Sequence, residues 1–424
     1  MSPPRIELGL RENAAQFTLL VAVNTLVGAM VGLERSTLPL IGETEFGVAS
    51  TVAVLAFIVA FGLAKALTNL AAGTWADRFG RRRLLILGWA LALPVPVLVA
   101  VAPSWGWIVA ANVFLGINQG LAWSMTVVMK VALAGPERRG LALGLNEAAG
   151  YGGVALAAAV SGWLAADLAA RDVLVAGAFG VAALGLFVSV FFVRDTGAHL
   201  ALEQRRHPAG AGEPPPRLDS AFTAASYRQP ALRSCSQAGL VNNLNDALAW
   251  GLVPLFLSSE GAGTGAIGLV AGLYPAVWGV GQIWAGHWSD SVGRKPLIVS
   301  GMLLQAVALA GLAASHGDVA VAAGTAVLLG IGTALVYPTL IAAISDAVTP
   351  TARASVVGVY RFWRDMGYVV GGLVAGIAAD AIGFDGAILL VAALTALSGA
   401  WVLFDLPARP SPWPTTFEAR AEAL

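Results

Sequence analysis

Twelve apolar runs, each close to the length that crosses a bilayer, limit what this chain can become more than any other feature. A spanning helix needs about 20 mostly apolar residues. Inside lipid a backbone must satisfy its own hydrogen bonds, so runs of that length are helices. Six lie near 16–40, 49–72, 84–102, 106–131, 140–166 and 172–193. Six more lie near 236–258, 265–288, 296–315, 318–345, 354–381 and 385–404. Only 12% of residues are charged, against roughly 25% in a soluble domain. Mean hydropathy is +0.75. The expected fold class is an all-α polytopic membrane protein with twelve transmembrane helices in two six-helix bundles.

The two sets of six are copies. Gly73-Thr74-Trp75-Ala76-Asp77-Arg78-Phe79-Gly80-Arg81-Arg82 follows the second run, and Gly286-His287-Trp288-Ser289-Asp290-Ser291-Val292-Gly293-Arg294-Lys295 follows the eighth, 213 residues later. Gly116, Gly120, Pro136, Arg139 and Gly144 find counterparts 214 residues on at Gly330, Ala334, Pro350, Arg353 and Gly358. Pro39-Leu40 matches Pro254-Leu255. Six spans is an even number, so the halves share one topology, a parallel repeat about an axis normal to the membrane. The boundaries are an N-terminal bundle over 1–193, a linker over 194–234, a C-terminal bundle over 235–405 and a tail over 406–424. Arg205-Arg206-His207-Pro208 and the Pro214-Pro215-Pro216 run give the linker a polar, proline-rich character.

Basic residues fix the orientation. Loops after the even-numbered spans hold 15 of the 25, among them Arg78, Arg81, Arg82, Arg83, Arg138, Arg294 and Lys295, while the opposite loops hold essentially only Arg171. The positive-inside rule then puts both termini and the linker in the cytoplasm, in a plasma membrane. No small-residue cleavage site follows the first run, which reads as a retained span.

Several function classes are disfavoured. Formal net charge is zero, with no basic surplus for nucleic acid. Cys235 is the only cysteine, so no disulfide forms within the chain. Lys65, Lys130 and Lys295 are followed by Ala, Val and Pro, so none belongs to a G-K-[ST] phosphate loop. There is no H-E-x-x-H and no G-x-S-x-G. The expectation is a non-enzyme with no cofactor and no metal, drawing its energy from a proton gradient and working as a monomer on a small-molecule substrate in the bilayer.

On its paired G-x-x-x-D-x-x-G-R-[RK] loops, twelve spans and long central linker, the chain resembles the major facilitator superfamily over roughly residues 14–405. That resemblance implies secondary transport by alternating access, with a cavity between the bundles. It also implies a conformational latch at Gly73, Asp77, Arg78, Gly80 and Arg81, and at Gly286, Asp290, Gly293 and Arg294, that stabilises the outward-open state. Ser291 replaces the basic residue of the second copy. Drug–proton antiporters of the superfamily carry R-x-x-x-G-x-x-x-G in span 4, where this chain has Asn112, Gly116 and Gly120. Span 5 has Gly150, Gly152 and Gly153 without the antiporters' proline.

Charges within the spans are few, and such residues face a cavity or a partner. Glu34 and Arg35 lie in span 1, Lys65 in span 2, Glu147 in span 5, Asp246 in span 7, and Arg361, Arg364 and Asp365 in span 11. Glu147 and Arg361 are 214 apart, the repeat offset. They are pseudo-symmetry mates, an acid in one half facing a base in the other. Arginine suits an anion because it binds bidentately. Glu147 or Asp246 suits a coupling proton, since burial favours the neutral carboxyl. Structural pairing of Arg361 with Asp365 or Glu147 is the alternative. Glu34 and Arg35 point about 100° apart and cannot both face one cavity. Weaker candidates are Asn118, Gln119 and Trp123, Asn146 and Tyr151, Asn243, Tyr274 and Trp278, Tyr337 and Tyr360.

The leading expectation is a secondary active transporter of a small polar, anionic organic solute coupled to protons. The runner-up is an efflux pump for amphipathic drugs or toxicants. A transport-inactive membrane sensor is the alternative from another class.

Overall fold

The computed structural model describes residues 6–135, 138–206, 217–349, 352–408 and 413. The linker segment 207–216, Pro136, Pro350 and most of the tail lie outside the described residues, as do the surroundings of Gly73 and the side chains of Asp77 and Arg139. The described residues contain sixteen α-helices and no strand.

Twelve spans form. In the first half they are α1 Ala14–Arg35 with α2 Leu38–Thr44, α3 Thr51–Val54 with α4 Ala56–Phe79, α5 Arg81–Ala92 with α6 Pro94–Val101, α7 Trp105–Ala134, α8 Arg139–Leu164 and α9 Ala170–Phe191. The linker carries α10 Gly197–Arg206, α11 Leu218–Thr223 and a π-turn over Ala224–Arg228. The second half has α12 Pro230–Ser259, α13 Thr264–Val292, α14 Arg294–Ala313, α15 Val319–Asp346 and α16 Arg353–Asp405. The last holds two spans, because Gly383 turns the chain back at φ 77°.

Prolines explain the broken spans. Pro39 has no N–H to offer the Arg35 carbonyl four residues earlier, so the first span breaks at Ser36-Thr37. At the break the Thr37 hydroxyl donates to the Leu33 carbonyl at 2.8 Å, while Ser36 Oγ turns to α8, meeting the Ala158 carbonyl at 3.1 Å and Ser161 Oγ at 2.9 Å. Pro94 and Pro96 divide the third span in the same way. Pro254, the repeat mate of Pro39, is instead carried within a continuous helix. The linker contains two helices where composition suggests an unstructured tether.

The two repeated loops are built alike. Gly80 (φ 86°) caps α4 and starts α5, and Gly293 (φ 98°) caps α13 and starts α14. A left-handed cap of this kind favours glycine, which has no Cβ to clash.

The halves meet along a seam formed by α8 against α13 and by α3 and α4 against α16. The face that carries the linker and the repeated loops is here called the linker face, and the opposite one the far face. The seam is closed toward the far face. A side chain at Gly162 or Gly268 would overlap the backbone of the other, and one at Gly376 would overlap Val52. Toward the linker face, Gly144, Gly286 and Gly358 have nothing within reach. The seam is open at that end, with no neighbouring atom near the place a side chain at Gly286 would occupy.

Candidate functional site

Two charged clusters cross the middle of the seam. In the first, Arg35 at the end of α1 reaches Asp246 on α12 at 2.8 and 2.9 Å, both residues being almost fully buried. Tyr368 of α16 donates to the same carboxylate. The Arg35 guanidinium also lies 5.3 Å from the Trp250 ring centre, and Trp250 packs edge-on against Phe57 and Phe61 of α4. The Arg35 Nε has no hydrogen-bond partner of its own, so the ion contact and the Tyr368 hydroxyl carry the repayment of a costly desolvation.

The second cluster is a chain of contacts from one half to the other. Glu147 of α8 accepts from Trp123 Nε1 at 3.1 Å and Asn146 Nδ2 at 2.9 Å. Tyr337 of α15 donates its hydroxyl to Glu147 at 3.4 Å and accepts from Arg364 Nη1 at 2.5 Å. Arg364 continues to Asp365 at 2.6 and 3.0 Å. Asp365 returns to the first half, accepting from Asn69 at 2.5 Å and facing Lys65 Nζ at 3.7 Å. Ser124 steadies Asn69 at 2.8 Å. Lys65 is further enclosed by the rings of Phe61, Tyr368 and Trp123, within 5.4, 5.1 and 5.9 Å.

Aromatic rings wall this chain. Tyr151 of α8 stacks on Trp278 of α13 with centres 3.6 Å apart, and Tyr274 and Tyr337 lie against the same indole. Trp123 closes the other side of Tyr151 at 5.3 Å.

Other candidates are distributed differently. Arg361 is half-buried, one turn nearer the linker face than Arg364, and its Nε is enclosed without an acceptor. Among the described residues it pairs with neither Glu147 nor Asp365; the carboxylates are taken by Tyr337, Arg364 and Lys65. Glu34 turns into its own bundle, beside Asn112 of α7, and neither carboxyl oxygen has a well-formed hydrogen bond. Asn118 donates to the Gly88 carbonyl and Gln119 to that of Val27, which ties α7 to α5 and α1. Asn243 sits against Gly367 within the second bundle, and the buried Tyr360 ring against Gly239. Asn242 and Asn245 bind Gln305 at 3.0 and 2.8 Å.

In the repeated loops, Arg294 bridges Asp290 at 2.6 Å and Asp346 at 2.9 Å, all within the second half. Arg82 donates to the carbonyls of Val193 and Val190 at the end of α9, at 2.7 and 2.5 Å. Arg78 lies over the Phe79 ring at 5.2 Å and Arg81 is buried.

Lys65, Asn69 and Tyr368 are central here, although the sequence marks only Lys65, and that merely as a charge within a span. Lys65 and Asn69 share a helix face at i,i+4, which is the one signal that marks them. Lys130 is buried on α7 and donates to the Leu20 carbonyl at 3.3 Å.

A family profile described as Major Facilitator Superfamily matches residues 16–234 and 235–423. An uncharacterised MFS-type transporter of Salmonella typhimurium is 24% identical over 386 residues, 88% of this chain and 92% of that one. A probable 4-methylmuconolactone transporter of Cupriavidus pinatubonensis is 26% identical over 263 residues, 61% of this chain and 57% of its own. The multidrug resistance protein MdtH of Aeromonas hydrophila is 31% identical over 162 residues, 37% of this chain and 40% of its own. Among solved structures, the Escherichia coli xylose transporter XylE in a partially occluded inward-open conformation superposes with a TM-score of 0.71 at 16% identity, covering 92% of this chain and 98% of that one. A bacterial homologue of the human lysosomal transporter Spinster, inward-facing and unoccupied, gives 0.70 at 17% identity, covering 94% and 99%. With both halves matched and the twelve-helix fold shared, this chain belongs to the major facilitator superfamily and is a membrane transporter.

Proposed function

We propose that the protein carries a small organic anion together with protons, by alternating access between its two bundles. The observation that supports this most is the charge balance at the seam. Lys65, Arg361 and Arg364 are three cations facing the two carboxylates Glu147 and Asp365. Arg361 stands nearest the open linker face with an unanswered Nε, where it can meet an incoming carboxylate bidentately. Protonating Glu147 removes one negative charge and loosens its hold on Tyr337, which frees Arg364 for the anion. Proton and anion then favour each other's binding, as coupling requires. Glu34 is a second carboxyl without a cation partner and is a reserve proton site.

In this proposal both termini and the linker face the cytoplasm of a plasma membrane, following the positive-inside distribution. The chain acts as a monomer, without enzymatic chemistry or a bound cofactor, and draws on the proton gradient. Asp77 and its loop latch the linker face when the far face opens.

The efflux of amphipathic drugs is favoured by a different observation, the aromatic wall of Trp123, Tyr151, Tyr274, Trp278 and Tyr337. Purified protein in liposomes, given a pH gradient and a panel of radiolabelled carboxylates and lipophilic cations, separates the two. Gradient-dependent carboxylate flux that falls at least about tenfold in Arg361→Ala and Arg364→Ala is expected. Flux of the cations alone would favour efflux, and flux unchanged in both variants would remove the arginines from the path.

A further inference from the structure

Asp380 sits at the far-face end of the eleventh span, on α16, outside both charged clusters. Its carboxylate reaches across the seam to the start of the second span. It accepts from Ser50 Oγ at 2.6 Å, from the Thr51 N–H at 2.5 Å and from the Val52 N–H at 3.2 Å. Ser50 is the N-cap of α3 and its oxygen covers a third donor, Ala53 N–H, at 3.4 Å. The first N–H groups of a helix have no partner within it. Here they are answered by a carboxylate that belongs to the other half of the molecule.

Alternating access requires the far-face seam to part. The contacts beside Asp380 are the ones that must separate, since Gly376 lies on Val52 and Gly372 on Val59. When they do, Thr51 and Val52 lose their acceptor and Asp380 loses three donors. The carboxylate is exposed, so water replaces those donors on release and the exchange is reversible. The buried Arg35–Asp246 pair, deeper along the same seam, has no such easy replacement.

We infer that Asp380 is a far-face clasp: by capping the second span from the opposite bundle, it biases the transporter toward the state closed on the far face. The bias is that of a charge on an exposed helix N-terminus reinforced by hydrogen bonds, and removing it should raise the ratio of far-face-open to far-face-closed molecules roughly three- to tenfold.

The test is a distance measurement in nanodiscs by double electron–electron resonance, in a Cys235→Ala background. Spin labels at Thr44→Cys and Ser259→Cys report the far face, and labels at Arg83→Cys and Ser291→Cys the linker face. With Asp380→Asn, the far-face distribution should gain a longer component and the linker-face distribution a shorter one. Ser50→Ala, which removes one of the three donors from the other side, should move both in the same direction by less. A folded Asp380→Asn protein with unchanged distributions overturns the inference. Should Asp380→Asn fail to fold, unchanged distributions in Ser50→Ala overturn it equally.

Discussion

At the scale of single residues, the seam contrasts two kinds of buried charge. Arg35 and Asp246 are each other's main partner and are almost fully buried. Removing one leaves the other uncompensated, which typically costs about 3–5 kcal/mol. Asp246→Ala should therefore lower the melting temperature of the detergent-solubilised protein strongly, while the double variant Arg35→Leu with Asp246→Leu recovers much of the loss. Equal melting of the single variant and the parent would mean that water reaches Arg35. The repeat offset relates Glu147 and Arg361 as mates, and the structure shows what such an offset delivers. It identifies positions related by the axis, but contact depends on how each helix is rotated and how far each side chain extends. Glu147 accordingly meets Tyr337, the mate of Trp123, and reaches Arg364 only through that hydroxyl. Arg35 faces the seam and Glu34 its own bundle, as the 100° step between neighbours on a helix requires.

At the scale of elements, glycine is placed where helices from different halves touch. Gly162 of α8 and Gly268 of α13 bring backbone onto backbone at the far face. Gly162→Leu should wedge that end apart, so that surface expression persists while flux is lost. Normal flux would show that the two helices can separate and still close the path. The linker helix α10 offers a second, gentler test. The His199 Nε2 atom lies 3.1 Å from Asn13 Oδ1, while Nδ1 is enclosed without a partner. A proton on Nδ1 would have nothing to bond, and burial accordingly lowers the His199 pKa below its ordinary 6.5. Near and above pH 6.5 the neutral ring keeps α10 docked. As pH falls below that value the unfolded ring takes up a proton that the docked one resists, so docking weakens. Protection factors for amide exchange over residues 197–202, which divide out the intrinsic pH dependence, should be lower at pH 5.5 than at pH 7.5. The reverse order would rule out His199 as the cause. None of this docking is visible in the linker's composition, which shows polarity and proline but not the hydrogen bond that Asn13 supplies.

At the scale of the whole molecule, the same duplicated chain yields two unlike surfaces. The far face is held by backbone contact, by Asp380 on the second span and by the buried Arg35–Asp246 pair. The linker face is parted, and its repeated loops bond within their own half, Arg294 to Asp290 and Asp346. Sequence by itself determined the twelve helices, because lipid allows no other structure for apolar runs of that length. It also determined the two-fold repeat and the glycine turns at Gly80 and Gly293, because these are local in the chain. Which charges meet was decided only by tertiary structure. Arg35 and Asp246 are 211 residues apart, and Asn69 and Asp365 are 296 apart. No periodicity within a helix encodes such pairings. They follow from the rotation of each helix in its bundle and from the closing of one bundle against the other, which brings Lys65, Arg364 and Asp365 to the same depth of the seam.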